Sequence, residues 1–256
     1  RHVPESPRWL FIHGRDEEAE RIVDGIEREV TAETGRQLSE ATGSLTIRQR
    51  RTISLIEIAR VAFTRYPKRA VLGLALFIGQ AFLYNAVFFT QALVLTVFFG
   101  VPSGLAPLFI IPLALGNFLG PVLLGPLFDI VGRKPMIAGT YIGSGLLLVG
   151  TGLLFQNGLL TAVTLTLCWC AVFFVASAGA SSAYLTVSEI FPMETRPQAI
   201  ALFYATGTAL GGILGPSLFG VLVGSGEVGQ VAFGYYLGAG LMVAAGIVEV
   251  LIGVEA

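Results

Sequence analysis

The residues of this chain that could do chemistry are sparse and set deep in apolar sequence. Gln80, Tyr84, Asn85, Gln91, Asn117, Tyr141, Tyr184, Thr206, Thr208 and Glu249 interrupt long hydrophobic runs. Amides and hydroxyls in such surroundings face a helix-bundle interior or a wet cavity, because lipid satisfies neither donor nor acceptor. They can tie helices together or hold a polar solute. For any single residue the interhelical bond is the commoner use, so the cluster says more than its members. No two titratable groups stand together at depth as an acid/base or metal pair would, so no enzyme and no cofactor is expected. Cys168 and Cys170 lie inside an apolar run and read as small buried residues rather than metal or redox ligands.

These residues need a membrane to position them. Of the 256 residues, 54% are hydrophobic and 13% charged, against about 25% charged in soluble domains. The net charge of −1 leaves no basic surplus for nucleic acid. Six apolar runs, at 70–99, 105–128, 135–155, 159–188, 198–223 and 230–254, each have the length of a membrane-crossing helix. The chain is therefore expected to be an all-α integral membrane protein with a six-helix domain at 70–256, preceded by a helical region at 1–69.

Charge sets the orientation. From residue 70 onward only nine residues are charged, and Asp129, Arg133 and Lys134 share the short break after the second run. Gly132 there can take the positive φ of a tight loop. Asp129, at a helix end, can face the positive N-terminus of a neighbouring helix. The loops after the first, third and fifth runs hold no Lys or Arg, so all sixteen basic residues fall on one side of a six-span topology. The positive-inside rule makes that side cytoplasmic, with both ends of the segment inside.

Residues 1–69 hold thirteen of the basic and eleven of the acidic residues. Apolar positions Ala19, Ile22, Val23, Ile26 and Val30 form one helical face. Glu17 with Arg21 and Asp24 with Arg28 are spaced as i, i+4 ion pairs. A short helix with loops is expected over 31–52, and a helix over 54–63 with Leu55, Ile58 and Ala62 on one side. The segment 65–69 is a basic membrane anchor. Within the spans, Gly207, Gly211 and Gly215 repeat on one face and favour close helix approach, while Pro112, Pro121 and Pro216 should kink or unwind their helices.

Three motifs in order carry a family resemblance. Pro4-Glu5-Ser6-Pro7-Arg8-Trp9-Leu10 resembles the PESPRWL signature of sugar porters, a branch of the major facilitator superfamily. The stretch Gly125-Pro126-Leu127-Phe128-Asp129-Ile130-Val131-Gly132-Arg133-Lys134 resembles the superfamily's loop signature. Glu189-Ile190-Phe191-Pro192, leading to Arg196, is the third. The resemblance implies the C-terminal half of a transporter, with its cytoplasmic helical region and its last six helices; a preceding six-helix half would then be a partner in the fold.

The resemblance also implies roles. Gln80 and Asn85 match the seventh-helix amides of a solute site, with Gly79 where the family has a further glutamine, and Asn117 matches the eighth-helix asparagine. Tyr184 stands where glucose carriers have the tenth-helix tryptophan, and Gly207-Thr208 where they have an Asn-Trp pair. These departures turn the reading from hexose toward a polyol, an aromatic acid or a nicotinate-like metabolite. Glu5, Arg8, Asp129, Arg133, Glu189 and Arg196 match the ion-pair network that closes the cytoplasmic side. The implied function is transport of a small organic solute across the cell membrane by alternating access, with protons as a candidate coupling ion. The rival reading is a receptor or scaffold of the same fold that binds a solute without moving it.

Overall fold

The computed structural model describes residues 4–35, 55–190 and 196–253. Contacts divide the chain into two compact units, Arg1–Ser54 and Leu55–Ala256. In the first, α1 (Pro7–Ile12) packs on α2 (Asp16–Thr34), with Leu10 and Ala19 fully buried. Pro7 starts α1, where its missing N–H costs nothing. Asp16, Glu17 and Glu18 complement the positive end of α2, and Gly35 closes it in the left-handed region.

The i, i+4 pairs expected on α2 take another form. Arg21 and Arg28 donate their Nε–H groups to the main-chain carbonyls of Glu17 and Asp24, at 3.2 and 3.0 Å. An ion pair joins Arg15 to Glu18 instead. Exposed ion pairs contribute little, so a guanidinium lying back along its own helix competes well. Along the expected apolar face, Ile26 and Val30 remain exposed. The helix expected within 31–52 lies largely outside the described residues.

The second unit begins with α3 (Leu55–Arg65), which buries Ile58 and Ala62 and packs on α4 and α8. Six stretches are long and apolar enough to cross a membrane: Pro67–Phe99, Ala106–Ile130, Arg133–Gln156, Ala162–Val187, Gln198–Gly224 and Val228–Ile252. They correspond to α4 (Pro67–Phe99), α5 (Ile110–Ile130) with a preceding 3-10 turn, α6 (Arg133–Gln156), α7 (Ala162–Ile190), α8 (Arg196–Ala209) continuing into α9 (Gly215–Gly224), and α10 (Val228–Ile252). Gly132 takes φ 103° in the short connection between α5 and α6, as its place in the loop predicts.

Small residues decide which helices meet. Gly207, Gly211 and Gly215 lie flush on α4: a Cβ on Gly207 would come within 2.8 Å of the Phe77 Cβ, and one on Gly211 would overlap the backbone of Ala81 and Phe82. The second seam joins α10 to α6, where a Cβ on Gly246 would fall 2.6 Å from Ile142 and one on Gly145 would fall 2.7 Å from Val243. Helices without a hydrophobic drive between them gain dispersion energy only at such close approach. The expected unwinding is found at Pro216, which follows a π-helical turn at Leu210–Leu214 that joins α8 to α9. α5 continues as one α-helix through Pro121 and Pro126, and Pro112 stands in its first turn.

Candidate functional site

The site is built from α4, α5 and α7. Its cavity measures about 810 Å³ and is lined by Tyr84, Asn85, Phe88 and Phe89 of α4, by Leu113 through Val122 of α5 at six positions, and by Phe173 and Ser181 of α7. Asn85 and Asn117 therefore share one cavity, although 32 residues separate them in sequence. The Tyr84 hydroxyl donates to Asn117 Oδ1 at 2.8 Å. Asn85 Nδ2 donates to the Ala81 carbonyl of its own helix at 2.7 Å. Each bond fixes one end of an amide and leaves the other end available: the Asn117 Nδ2 donor and the Asn85 Oδ1 acceptor.

Two prolines add acceptors. Pro121 stands four residues after Asn117, so the Asn117 main-chain carbonyl loses its ordinary helical donor. Pro216 stands in the same relation to Gly212, whose Cβ position is 3.6 Å from Asn85 Nδ2 and 3.5 Å from Thr208 Cγ2. Gly212 belongs to the π-helical turn, a distortion frequent at functional sites. Thr208 and Asn85 thus both border Gly212 of this turn.

The other solute-site residues named from the sequence lie elsewhere. Gln80 is half-buried, and its Oε1 is buried without a hydrogen-bond partner among the described residues. Tyr184 stacks edge-on to Phe77 at 4.8 Å and packs on Tyr204 at 5.8 Å, and it is not among the residues lining the large cavity. Tyr141 makes an interhelical bond, its hydroxyl donating to the Leu76 carbonyl at 3.0 Å. Cys170 donates its thiol to the Pro112 carbonyl, consistent with a small packing residue.

A second, smaller cavity of about 170 Å³ lies further along α5. Gly125, Phe128 and Asp129 line it with Arg133 of α6 and Ser181, Ser182 and Leu185 of α7. Asp129 and Arg133 are so brought to one pocket at the α5–α6 turn. Pro121 and Ser181 line both cavities. Glu5 and Arg8 belong to the first compact unit, where Glu5 precedes α1 and Arg8 lies within it. Glu189 ends α7 and Arg196 begins α8, and the intervening residues lie outside those described.

Sequence reasoning singled out the amides but missed three of their supports. Tyr84 was one polar residue among ten, without its pairing to Asn117. The aromatic wall of Phe88, Phe89, Phe118 and Phe173 was not assigned to the site. The proline spacing was legible: a proline four residues after an amide marks a carbonyl without its donor.

An all-helical bundle with six stretches fit to cross a membrane, a cavity among them bordered by two amides, and a charged pocket at one helix turn is the architecture of half a membrane transporter. The family described as "Sugar (and other) transporter" matches residues 2–256. The chain belongs to that family, the sugar-porter branch of the major facilitator superfamily. It is 31% identical over 210 residues to the "Major myo-inositol transporter IolT" of Bacillus subtilis, covering 76% of this chain and 41% of the relative. It is 30% identical over 207 residues to the "Arabinose-proton symporter" of the same bacterium, covering 78% and 42%. A "Probable plastidic glucose transporter 2" of Arabidopsis thaliana is 29% identical over 210 residues, covering 77% and 40%. The chain thus spans about two fifths of the length of these relatives.

Proposed function

We propose that the chain forms the C-terminal wall and cytoplasmic gate of a carrier for a small organic solute, sugar-like or a related metabolite. The carrier works by alternating access. One observation carries the reading: Asn85 and Asn117 share the large cavity, while Asp129 and Arg133 share a separate pocket about three helical turns further along α5. At 1.5 Å per residue, Asp129 is about 18 Å from Asn117 along the helix, beyond direct contact with a solute held there. Binding and gating are then done by different residues on one helix, and Ser181 on α7 borders both.

In this reading Gln80, Asn85, Asn117, Tyr184 and Thr208 serve the solute. Glu5, Arg8, Asp129, Arg133, Glu189 and Arg196 serve the gate, whose ion pairs hold the inside shut and separate when the halves rock. A preceding six-helix half supplies the facing wall. The exposed side of α5 supports this: only 17% of its span window is buried, against 50% for α4, α6 and α7. Protons are the proposed coupling ion, on the strength of the similarity to an arabinose-proton symporter. The one-sided basic residues support a cell-membrane protein with both ends of this segment cytoplasmic.

Uptake of labelled solutes by the full-length protein in proteoliposomes tests the carrier reading. Saturable uptake with counterflow is expected, and saturable binding without any flux would favour a receptor. Cysteines placed at Ser103, Asn157 and Gly226 should label from outside and one at Thr195 should not. External labelling at Thr195 would overturn the orientation.

A further inference from the structure

The large cavity has few polar groups and many rings. Its polar side chains are Tyr84, Asn85, Asn117 and Ser181. Two of these are already partly spent on each other, through the 2.8 Å bond from Tyr84 to Asn117. The Ser181 hydroxyl donates to the Ser177 carbonyl of its own helix at 3.0 Å. What remains is the Asn117 side-chain NH2 with its two N–H donors, the second N–H and the Oδ1 acceptor of Asn85, and the Asn117 main-chain carbonyl that Pro121 leaves without its usual donor. No Asp, Glu, Lys, Arg or His lines the cavity among the described residues.

The rings form a surface with a direction. Tyr84 and Phe173 pack with centroids 4.8 Å apart, and Phe88 and Phe89 meet edge to face at 5.9 Å. Phe89 and Phe118 are each 66% exposed, so their faces are presented rather than consumed by the core. A hexose or cyclitol carries a hydroxyl on nearly every ring carbon. Each hydroxyl desolvated without a partner costs about 1–3 kcal/mol, and the part of the wall made by Phe88, Phe89, Phe118 and Phe173 offers none. A flat apolar ring has no such cost and gains offset or edge-to-face contact with aromatic neighbours. The amide groups of Asn85 and Asn117, which keep both N–H donors and acceptors, match a carboxamide or hydroxyl edge. The absence of charge in the lining disfavours a charged group held against it.

Resting on the carrier reading, we infer that the solute presents to this wall a flat, uncharged aromatic or heteroaromatic ring bearing one carboxamide or hydroxyl edge. Asn85 and Asn117 take the polar edge, and Phe118 and its neighbours take the ring. Phe118 becomes a specificity-determining residue, with Tyr84 positioning the Asn117 amide.

The test is equilibrium binding of benzamide, glucose and myo-inositol to the full-length carrier, with proteoliposome counterflow measured in parallel. Benzamide should bind at least about tenfold tighter than either polyhydroxylated probe, and Phe118→Ala should weaken it about tenfold. Phe118→Tyr should retain binding. Because Phe118 is exposed, its truncation leaves the core intact, and an unchanged melting temperature checks this. Tighter binding of glucose or myo-inositol, no binding of benzamide, or indifference to Phe118→Ala would each overturn the inference. The two readings fail separately. Glucose or myo-inositol counterflow with no benzamide binding removes the ring-bearing solute and keeps the carrier. Benzamide binding with no flux of any solute removes the carrier and keeps the site.

Discussion

The α4–α5–α7 cavity and the α6–α10 seam are made from similar apolar sequence and do opposite things. The seam closes. Gly145 and Gly246 bring backbones to within a methyl group of each other, and even Glu249 is fully buried there. The cavity opens. Its walls carry a proline inside α5 and large rings on α4, α5 and α7. In a medium where apolar residues gain nothing by leaving lipid, side-chain size, rather than hydropathy, separates a packed seam from an open cavity wall.

The sharpest way to break that contrast is to force a close seam open. Gly207→Leu would drive its side chain into the Phe77 backbone of α4, and overpacking of this kind costs about 3 kcal/mol or more. Loss of the folded, monodisperse protein in detergent is expected. A variant with an unchanged melting temperature would show that α8 and α4 do not need this contact.

Next in size is the gate. Asp129→Asn in the full-length carrier should lower transport about 5- to 150-fold, the range that 1–3 kcal/mol of conformational bias gives, while solute binding is largely kept. If binding were abolished instead, the separation of gate pocket from cavity would fail. Asn117→Ala should show the reverse pattern, with about tenfold weaker binding and little change in conformational balance.

Smaller effects sharpen the comparison. Tyr84→Phe removes the donor to Asn117 and a side-chain hydrogen bond with Ser177; a loss of about 1 kcal/mol, or roughly fivefold in affinity, is expected from a freed amide. An unchanged affinity would mean that Asn117 does not depend on that phenol. In the seam, both Glu249 carboxylate oxygens are buried without hydrogen-bond partners among the described residues. Glu249→Gln should raise thermal stability by about 1 kcal/mol or leave it level, because a buried acid without good partners costs more than it returns. A marked loss of stability would show that the attraction of Lys134, at the start of α6, outweighs the cost of burying the acid.

Much of the architecture was determined by the sequence alone. Six apolar runs separated by short polar breaks can only be membrane-crossing helices, because hydrocarbon satisfies no backbone group from outside. The glycine repeat at 207, 211 and 215 marked a contact face, since only a residue without Cβ permits that approach. The amides Asn85 and Asn117 stood out because polar groups at depth are costly without a use. Tertiary structure alone decided how these pieces combine. That Asn85 faces the cavity of Asn117, while Tyr184 turns to Phe77 and Tyr204, depends on helix rotations that composition does not encode. The aromatic wall was hidden for the same reason. In a chain with 18 phenylalanines, rings fall at buried and exposed positions alike, and only packing shows which lie in the core and which line the cavity.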